Sequence, residues 1–358
     1  MLTGNKGEWS EIYALFKVIS DKVLFGGDSN LHKIEKLIFP IIKVLRDESN
    51  GTFDFTYEND LVLVKNNDLQ FRISVNEFGK QAHFLLRKLQ ERTNATFSIP
   101  EVEQFMNSFN SCSLKAKSSV KRDIRIVIYD HRTGTNPELG FSIKSQLGGA
   151  STLLNAGRTT NFIYRIQNLS LSDEEIDHIN AIESKSKIKD RIERLNSLNG
   201  AFSFERTENP VFQNNLILID SALPKILSEV LLSFFTTNFT RVSDLVSEIT
   251  RKNPLNYNMV NSHPYYSYKI KRFLTDIALG MMPSKVWTGE LDATGGYLVV
   301  KENGDVLCYH IYNRNEFEDY LFCNTKLETP SSTRHGFGSV YNEDGKLYFK
   351  LSLQIRFL

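Results

Sequence analysis

The sequence predicts a mixed α/β fold in two domains, and three observations carry that prediction. The chain has 358 residues, 41% of them hydrophobic, so it is longer than a single hydrophobic core usually supports. Apolar residues recur at helical spacing in several early segments, whereas apolar and polar residues alternate over residues 51–75 and again after residue 296. We therefore expect an α/β domain with helical insertions over residues 1–255 and a β-rich domain over residues 256–358.

The first elements follow from the spacing of apolar residues. Ile12, Leu15 and Phe16 share one face of a helix expected over residues 8–25, and Gly26 ends it. The elements expected next are a helix over residues 31–46, two or three strands over residues 51–75, and helices over residues 77–92 and 100–111.

Charged and apolar helices and then two hairpins are expected later in the chain. Ser172 and Glu175 have the spacing of a capping box, which predicts a helix over residues 171–197. An apolar helical segment is expected over residues 211–250. Asn303-Gly304 and Asp344-Gly345 are typical two-residue turns and predict the hairpins of the C-terminal domain.

A central hairpin is expected over residues 123–147. Ile124, Ile126 and Ile128 alternate with polar residues as in a half-buried strand. The TGTNPELG segment that follows supplies turn-forming residues, and a second strand carries GFSIKS.

An acid and a lysine meet on this hairpin if it folds near Asn136. That fold places Asp130 beside Phe141 and Ser142, with Lys144 on the face of Ser142. A carboxylate-held Mg²⁺ neutralises charge on a phosphodiester and activates a water, which a lysine can orient. We therefore expect phosphodiester hydrolysis, with Asp130 as a metal ligand; the alternative is a surface ion pair without chemistry.

One metal ligand is missing from the hairpin, because Ser142 stands where many such nucleases have an acid. Glu8 and Glu11 lie three residues apart on one face of the first helix, and either is a candidate for the missing acid. Gln146 is a candidate neutral ligand on the strand of Lys144.

Long motifs along the whole chain resemble the HpaII-type restriction endonucleases. They are GEWSEIYALFKV, the DxxTG segment that begins at Asp130, GFSIKSQLGGASTLLNAGRTTNF, CYHIYNRNEFEDYL, NTKLETPSSTRHGFG and LQIRF. The resemblance implies a nuclease core of the PD-(D/E)xK kind in a type II restriction endonuclease. Such an enzyme cuts double-stranded DNA at 5′-CCGG with Mg²⁺ as cofactor, leaves 5′-phosphates on short 5′ overhangs, and is blocked by cytosine methylation.

The same resemblance assigns roles to residues of this sequence. Asp130 matches the metal-binding acid of the nuclease pattern and Lys144 matches its lysine, whereas Ser142 departs from the pattern. Glu11 is the preferred additional metal ligand, because the helix before the sheet often supplies an acid in this fold. A cognate cytosine methyltransferase is the implied functional partner. The palindromic site is compatible with a homodimer or with a monomer that nicks each strand in turn.

Polar residues in three segments are candidate DNA contacts. Lysine and arginine bind phosphates or guanine, and acids accept from cytosine. The candidates are Lys115, Lys117 and Lys121, with Arg122 in the same basic cluster; Asn155, Arg158, Thr159 and Asn161; and Lys326, Glu328, Arg334 and His335. Lys326 and Arg334 are expected guanine readers, with Arg158 as a competitor and Glu328 as a cytosine reader. Solvated loops and helix ends are the alternative interpretation.

Composition excludes several other classes. The net charge of +1 neither requires nor excludes a polyanionic partner, and three widely spaced cysteines form neither a disulfide framework nor a zinc cluster. The N-terminus lacks the pattern of a signal peptide, and no apolar run is long enough to span a membrane. We expect a cytoplasmic protein without a membrane partner.

Two further patterns compete with the central hairpin. Asp292 and Lys301 have a tolerable spacing for the same nuclease chemistry, although the turn after Lys301 places that lysine in solvent. His310 and Asn313 weakly resemble the active-site motif of a His-Asn nuclease, but the partner histidine of that motif is absent. The alternative from another class is a non-catalytic DNA-binding protein, but no helix-turn-helix or zinc signature supports it.

Overall fold

Helices and strands both occur throughout the chain in a computed structural model, which describes residues 1–116, 122–131 and 133–358. The chain divides into two compact units. The first comprises Met1–Ser151, Ala278–Gly280 and Leu291–Tyr320, and the second comprises Thr152–Ile277, Met281–Glu290 and Leu321–Leu358. This division differs from the expected boundary at residue 255, because the chain returns to the first unit to add two strands to its sheet.

The regular elements are numbered in chain order. Those before residue 151 are α1 (Lys6–Asp21), β1 (Val23–Gly27), β2 (Lys33–Glu48), β3 (Gly51–Glu58), β4 (Leu61–Asn66), β5 (Leu69–Ser74), α2 (Val75–Glu91), α3 (Pro100–Asn107), β6 (Ile124–Ile128) and β7 (Glu138–Ser145). Those that follow are β8 (Thr152–Leu154), β9 (Asn161–Gln167), α4 (Asp173–Asn180), α5 (Lys187–Ser197), β10 (Ala201–Thr207), α6 (Pro210–Ile219), α7 (Leu223–Thr236), α8 (Val242–Lys252), α9 (Tyr265–Leu279), β11 (Gly296–Val300), β12 (Val306–His310), α10 (Arg314–Cys323), β13 (Thr325–Leu327), α11 (Ser332–His335), β14 (Val340–Glu343), β15 (Lys346–Ser352) and β16 (Ile355–Phe357).

A nine-stranded sheet forms the frame of the first unit. Its strand order is β1-β12-β11-β7-β6-β2-β3-β4-β5. Strand β7 lies inside the sheet, antiparallel to β6 and parallel to β11. Trp9, Ile12 and Phe16 of α1 are buried in the same hydrophobic core as Ile126 of β6 and Phe141 of β7. The central hairpin, β6 and β7, is therefore fixed by strands on both sides and by the core that it shares with α1.

The expected helix over residues 31–46 is wrong, because this segment forms strand β2. Pro40 has no amide N–H to donate within a helix, and Ile34, Ile38 and Ile41 are β-branched residues that favour strands. The strand also pairs with β1, β3 and β6, so sheet contacts decide its conformation. The first helix is confirmed but ends at Asp21 rather than at Gly26, because Val23–Gly27 form strand β1. The strands over residues 51–75 and the helices α2 and α3 are confirmed.

Two smaller sheets and several helices form the second unit. The sheets have the strand orders β10-β9-β15-β14 and β13-β16-β8. The capping box of Ser172 and Glu175 is confirmed at the start of α4, although the expected long helix divides into α4 and α5. The apolar segment over residues 211–250 is helical as predicted, in the form of α6, α7 and α8.

Both predicted hairpins are present. Asp344-Gly345 is a two-residue turn, whereas residues 301–305 connect β11 and β12 in the other hairpin. Gly304 has φ +91° between β11 and β12, and Asp344 and Gly345 have φ 52° and 74° between β14 and β15. Positive φ at these positions is what a tight hairpin turn requires and explains the glycines. Across the described ranges, none of the helices combines the length and the apolar character needed to cross a membrane.

Candidate active site

The register of the central hairpin decides which acid lies near Lys144. Ile124 pairs with Phe141 and Val127 pairs with Glu138. Asp130 pairs with Thr135 in the turn, so the chain reverses before Asn136. The predicted register, with Asp130 beside Phe141 and Ser142, is therefore wrong by several residues.

Asp123 occupies the place that the sequence interpretation gave to Asp130. The Ser142 hydroxyl donates to Oδ2 of Asp123 at 3.1 Å, and the Ile143 N–H donates to the same oxygen at 2.6 Å. The backbone N–H of Asp123 donates to the Phe141 carbonyl at 2.8 Å. These three contacts hold Asp123 against the strand of Lys144.

Asp130 lies at the opposite end of the hairpin. Its carboxylate accepts from the Thr133 hydroxyl at 3.0 Å, inside the turn. The segment from Glu138 to Lys144 alone spans about 20 Å at ~3.3 Å per strand residue. Asp130 and Lys144 therefore do not belong to one site.

Lys144 shares the face of Ser142, as predicted, since the two residues are separated by one position on β7. Its Nζ lies 5.1 Å from the ring centroid of Tyr297, which pairs with Ser142 on the neighbouring strand β11. Burial lowers the pKa of Lys144, and the negative charges of Asp123 and Glu11 oppose that shift. The ammonium is thus coupled electrostatically to two carboxylates.

Glu11 is the carboxylate of α1 that is coupled to this site. Burial raises its pKa to about 7, the charge of Asp123 adds to the rise, and the charges of Arg46 and Lys115 oppose it. The Ala116 N–H donates to Oε2 of Glu11 at 3.4 Å.

Glu8 is engaged elsewhere. Its carboxylate accepts from the Asn5 N–H at 2.8 Å and completes the capping box of α1. The same side chain forms an ion pair with Lys115 at 2.5 Å. Partial burial raises the pKa of Glu8, but Lys115 and the Asn5 N–H outweigh it and hold that pKa below its usual value. The structure thus separates two glutamates that the sequence left equivalent.

Two cavities border the residues around Lys144. One of about 760 Å³ is lined by Lys6, Glu11, Arg92 and Lys144, together with residues 147–149. Another of about 370 Å³ has Asp123 in its wall. Gln146, the candidate neutral ligand, is exposed just after β7, and its N–H donates to the Val300 carbonyl at 2.9 Å.

The donor set around Lys144 is small. Within the described ranges no cluster of three or more Asp, Glu, His or Cys side chains is arranged to hold a metal ion. Glu11 and Asp123 are two carboxylates, and Ser142 adds a hydroxyl that already donates to Asp123. Sequence reasoning missed Asp123, although a turn centred on the DHRTG segment would have placed it opposite Ser142.

The competing patterns form no site. Asp292 precedes β11 and Lys301 follows it, so the strand separates them, and Nζ of Lys301 lies 3.9 Å from Asp305. His310 is buried, stacks on Phe39 with ring centroids 5.1 Å apart, and accepts from the Tyr312 N–H at 2.9 Å. That environment is typical of a core histidine.

The candidate DNA contacts fall into different environments. Lys115 is paired with Glu8, whereas Lys117 and Lys121 lie outside the described residues. In the second unit Asn155 is exposed, Thr159 is half-buried, and Lys326 is partly exposed on β13. Glu328, the expected cytosine reader, forms an ion pair with Arg356 at 2.7 Å.

Asn161 is a correction to the predicted DNA-facing loop, because its side chain is fully buried. Its amide donates to Glu208 at 2.7 Å and to the His335 carbonyl at 3.0 Å. It therefore joins the loop before β9 to helix α11. Nε of Arg158 lies 3.8 Å from the position that a Cβ on Gly336 would occupy, so the predicted DNA-binding segments of Arg158 and of Arg334 lie side by side. Both arginines are exposed.

Comparison with known proteins gives a family for the whole chain. The sequence profile of the HpaII restriction endonuclease family matches residues 5–357. The type II restriction enzyme HpaII of Haemophilus parainfluenzae is 47% identical over 359 residues, which cover 99% of each chain. No solved structure matches this chain significantly. The chain belongs to the HpaII restriction endonuclease family.

Proposed function

We propose that this chain cleaves double-stranded DNA at 5′-CCGG by Mg²⁺-dependent hydrolysis, through an active site of the PD-(D/E)xK kind. The observation that carries the proposal is geometric: Ser142 and Ile143 hold Asp123 against β7, the strand of Lys144, and Glu11 lines the same cavity as Lys144. Two acids and a lysine are the residue types that this reaction needs. All three belong to the first unit, with Glu11 on α1, Asp123 just before β6 and Lys144 near the end of β7.

The two carboxylates suit a divalent cation. The charge of Asp123 contributes to raising the pKa of Glu11 to about 7, so ionising both groups costs free energy. A bound cation offsets that repulsion, and carboxylate oxygens are ligands that Mg²⁺ accepts. We assign Glu11 and Asp123 as its ligands, with Asp123 in place of Asp130. When bound, Mg²⁺ neutralises charge on the phosphate and lowers the pKa of a coordinated water.

Each remaining residue has a separate task. The Ser142 hydroxyl and the Ile143 N–H orient Asp123, so Ser142 acts on the acid rather than replacing it. Lys144 donates a proton of Nζ to a hydrogen bond with the attacking water or the phosphate. The water oxygen bonds to phosphorus as the bond from phosphorus to O3′ breaks; the water loses a proton to solvent and the departing O3′ takes up a proton from solvent. The products are a 5′-phosphate on a short 5′ overhang and a recessed 3′-hydroxyl.

We assign base reading to Arg158 and Arg334 of the second unit. Arginine can pair in bidentate fashion with guanine, and these two arginines are exposed. Lys326 and the half-buried His335 remain candidate contacts from the neighbouring segments. Glu328 is already paired with Arg356, which argues against it as the cytosine reader.

Methylated cytosine carries a methyl group in the major groove, where such arginines would read the site. We therefore propose that cytosine methylation blocks the enzyme and that a cognate methyltransferase protects host DNA in the cytoplasm. A two-fold symmetric site is also compatible with a homodimer.

Digestion of a fully sequenced plasmid tests the reaction and the site together. Purified protein in Mg²⁺ and in EDTA would be followed by mapping of the ends. We expect Mg²⁺-dependent cuts at CCGG and none at C5-methylated sites. Intact DNA that the protein nevertheless retains would favour a binding protein, and cuts at another sequence would retract the CCGG assignment.

A further inference from the structure

The cavity of about 370 Å³ beside Asp123 contains a cation that the proposed reaction does not use. Arg122 lines it together with Asp47, Glu48 and Arg125. The Nε of Arg122 is buried without a hydrogen-bond partner, and its guanidinium forms no ion pair with any described residue. Burying part of a guanidinium without partners costs free energy, so its place next to Asp123 calls for a ligand.

The acids of this cavity are already neutralised by other arginines. Asp47 pairs with Arg125 at 2.8 Å, and Glu48 pairs with Arg46 at 2.6 Å. Arg122 interacts with Asp47 only as a more distant charge. Once Asp123 serves as a metal ligand, Arg122 is the cavity's uncompensated charge within the described residues.

Gly140 makes room for this arginine. A Cβ on Gly140 would lie 2.9 Å from Cδ and 3.3 Å from Cβ of Arg122. Gly140, Ser142 and Lys144 alternate along β7 and so lie on one face of the sheet. The Arg122 side chain therefore packs over the face of the sheet that carries Lys144.

We propose that Arg122 is a binding residue for a backbone phosphate of the DNA substrate, seated in this cavity next to the metal-binding acid. A guanidinium matches the geometry of a phosphate, and such contacts position the duplex without reading its sequence. The inference rests on the proposed function, because it requires a DNA substrate at Asp123.

The salt dependence of DNA binding tests the contact. Binding of a CCGG duplex and of a duplex without the site would be measured in EDTA by fluorescence anisotropy, from 50 to 200 mM salt. Arg122→Gln is expected to weaken both duplexes similarly and to reduce the salt slope by about 0.9, the value for one phosphate contact. Between 50 and 200 mM salt, the fold loss of DNA affinity should be about three times larger for the wild type than for Arg122→Gln. Arg72→Gln is the matched control, since Arg72 on β5 pairs with Glu58 at 3.0 Å.

Two further variants separate the contact from a folding defect. Arg122→Lys should keep the wild-type slope because it keeps the charge. Gly140→Ala retains Arg122, but the added methyl group occupies the space of the Arg122 side chain. This variant should therefore show the same reduced salt slope as Arg122→Gln. A wild-type slope in Gly140→Ala and Arg122→Gln, or a loss confined to the CCGG duplex, would overturn the inference. Failure of the wild type itself to bind DNA would instead overturn the proposed function.

Discussion

The two ends of the central hairpin carry an aspartate each, and Asp123 is the one held against the strand of Lys144. Asp123 is held by Ser142 and Ile143 and is coupled to Lys144 and Glu11. Asp130 lies in the turn, where Thr133 donates to it. The residue types at the two ends are alike, so their partners across the hairpin distinguish them. The register of one turn thus determines which acid meets the lysine.

The largest expected effect comes from exchanging the two acids for amides. Asp123→Asn should lower the rate of plasmid cleavage in Mg²⁺ by about 1,000-fold, because it removes a metal ligand and its charge. Asp130→Asn is the matched variant and should cleave within a few-fold of the wild type. Loss of cleavage in Asp130→Asn with activity retained in Asp123→Asn would reverse the assignment of the two ends.

Lys144→Met keeps the length of the side chain but removes its charge. We expect a loss of about 100-fold in the single-turnover cleavage rate, since the water and the phosphate lose a hydrogen-bond donor. Binding of the CCGG duplex should change little, because the charges of Asp123 and Glu11 already offset that of the ammonium. A variant that cleaves at the wild-type rate would remove Lys144 from the reaction.

The raised pKa of Glu11 should make the free energy of unfolding depend on pH. Its pKa is about 7 in the folded chain against 4.5 when unfolded, so the unfolded chain loses this proton first as pH rises. The free energy of unfolding in EDTA should therefore fall by up to about 3 kcal/mol across that window, at ~1.36 kcal/mol per unit of pKa. Glu11→Gln should remove the fall, as urea denaturation near pH 5 and pH 8 would show, while abolishing cleavage. An unchanged pH dependence in the variant would contradict this environment for Glu11.

Substitutions of the proposed base-reading arginines in the second unit should weaken recognition of CCGG rather than the cleavage chemistry. Arg334→Ala and Arg158→Ala should each weaken discrimination for CCGG by about 1–3 kcal/mol, the usual value of a bidentate base contact. The readout is the ratio of cleavage rates at CCGG and at sites with one altered base. Equal losses at all sites would make these arginines phosphate contacts.

The smallest effect is expected at Glu8. Glu8→Gln loses the charge that pairs with Lys115 but keeps an oxygen that can accept from the Asn5 N–H. We expect a stability loss of about 1 kcal/mol or less, in line with helix-cap substitutions, and near-normal cleavage. A cleavage defect like that of Glu11→Gln would show that Glu8 also belongs to the site.

Local patterns predicted much of this architecture. Helical spacing located α1 and α2, and the Asn-Gly and Asp-Gly turns located two hairpins, because those signals depend on residues close in sequence. Strand β2 was mistaken for a helix because its pairing with three other strands is not visible locally. The same limit applied to Asp123, whose partners Ser142 and Ile143 are 19 and 20 residues away.

Residue type and local spacing did not decide which side chains belong to the candidate site. Lys144 stood out because a lysine follows Ser142 on one face, but Glu8 and Glu11 looked equivalent on α1. The Ala116 N–H that donates to Glu11, and the Asn5 cap and Lys115 ion pair that engage Glu8, separate them. Asn161 resembled a surface residue for the same reason, since its contact with the His335 carbonyl spans 174 residues.

A calorimetric titration of Mg²⁺ into the wild type, Asp123→Asn and Asp130→Asn tests the central claim most directly. We predict that the wild type and Asp130→Asn bind Mg²⁺ with similar affinity and that Asp123→Asn loses binding by tenfold or more, an effect of about 1.4 kcal/mol. Retained binding in Asp123→Asn together with lost binding in Asp130→Asn would contradict the placement of the metal site at Asp123 and Glu11.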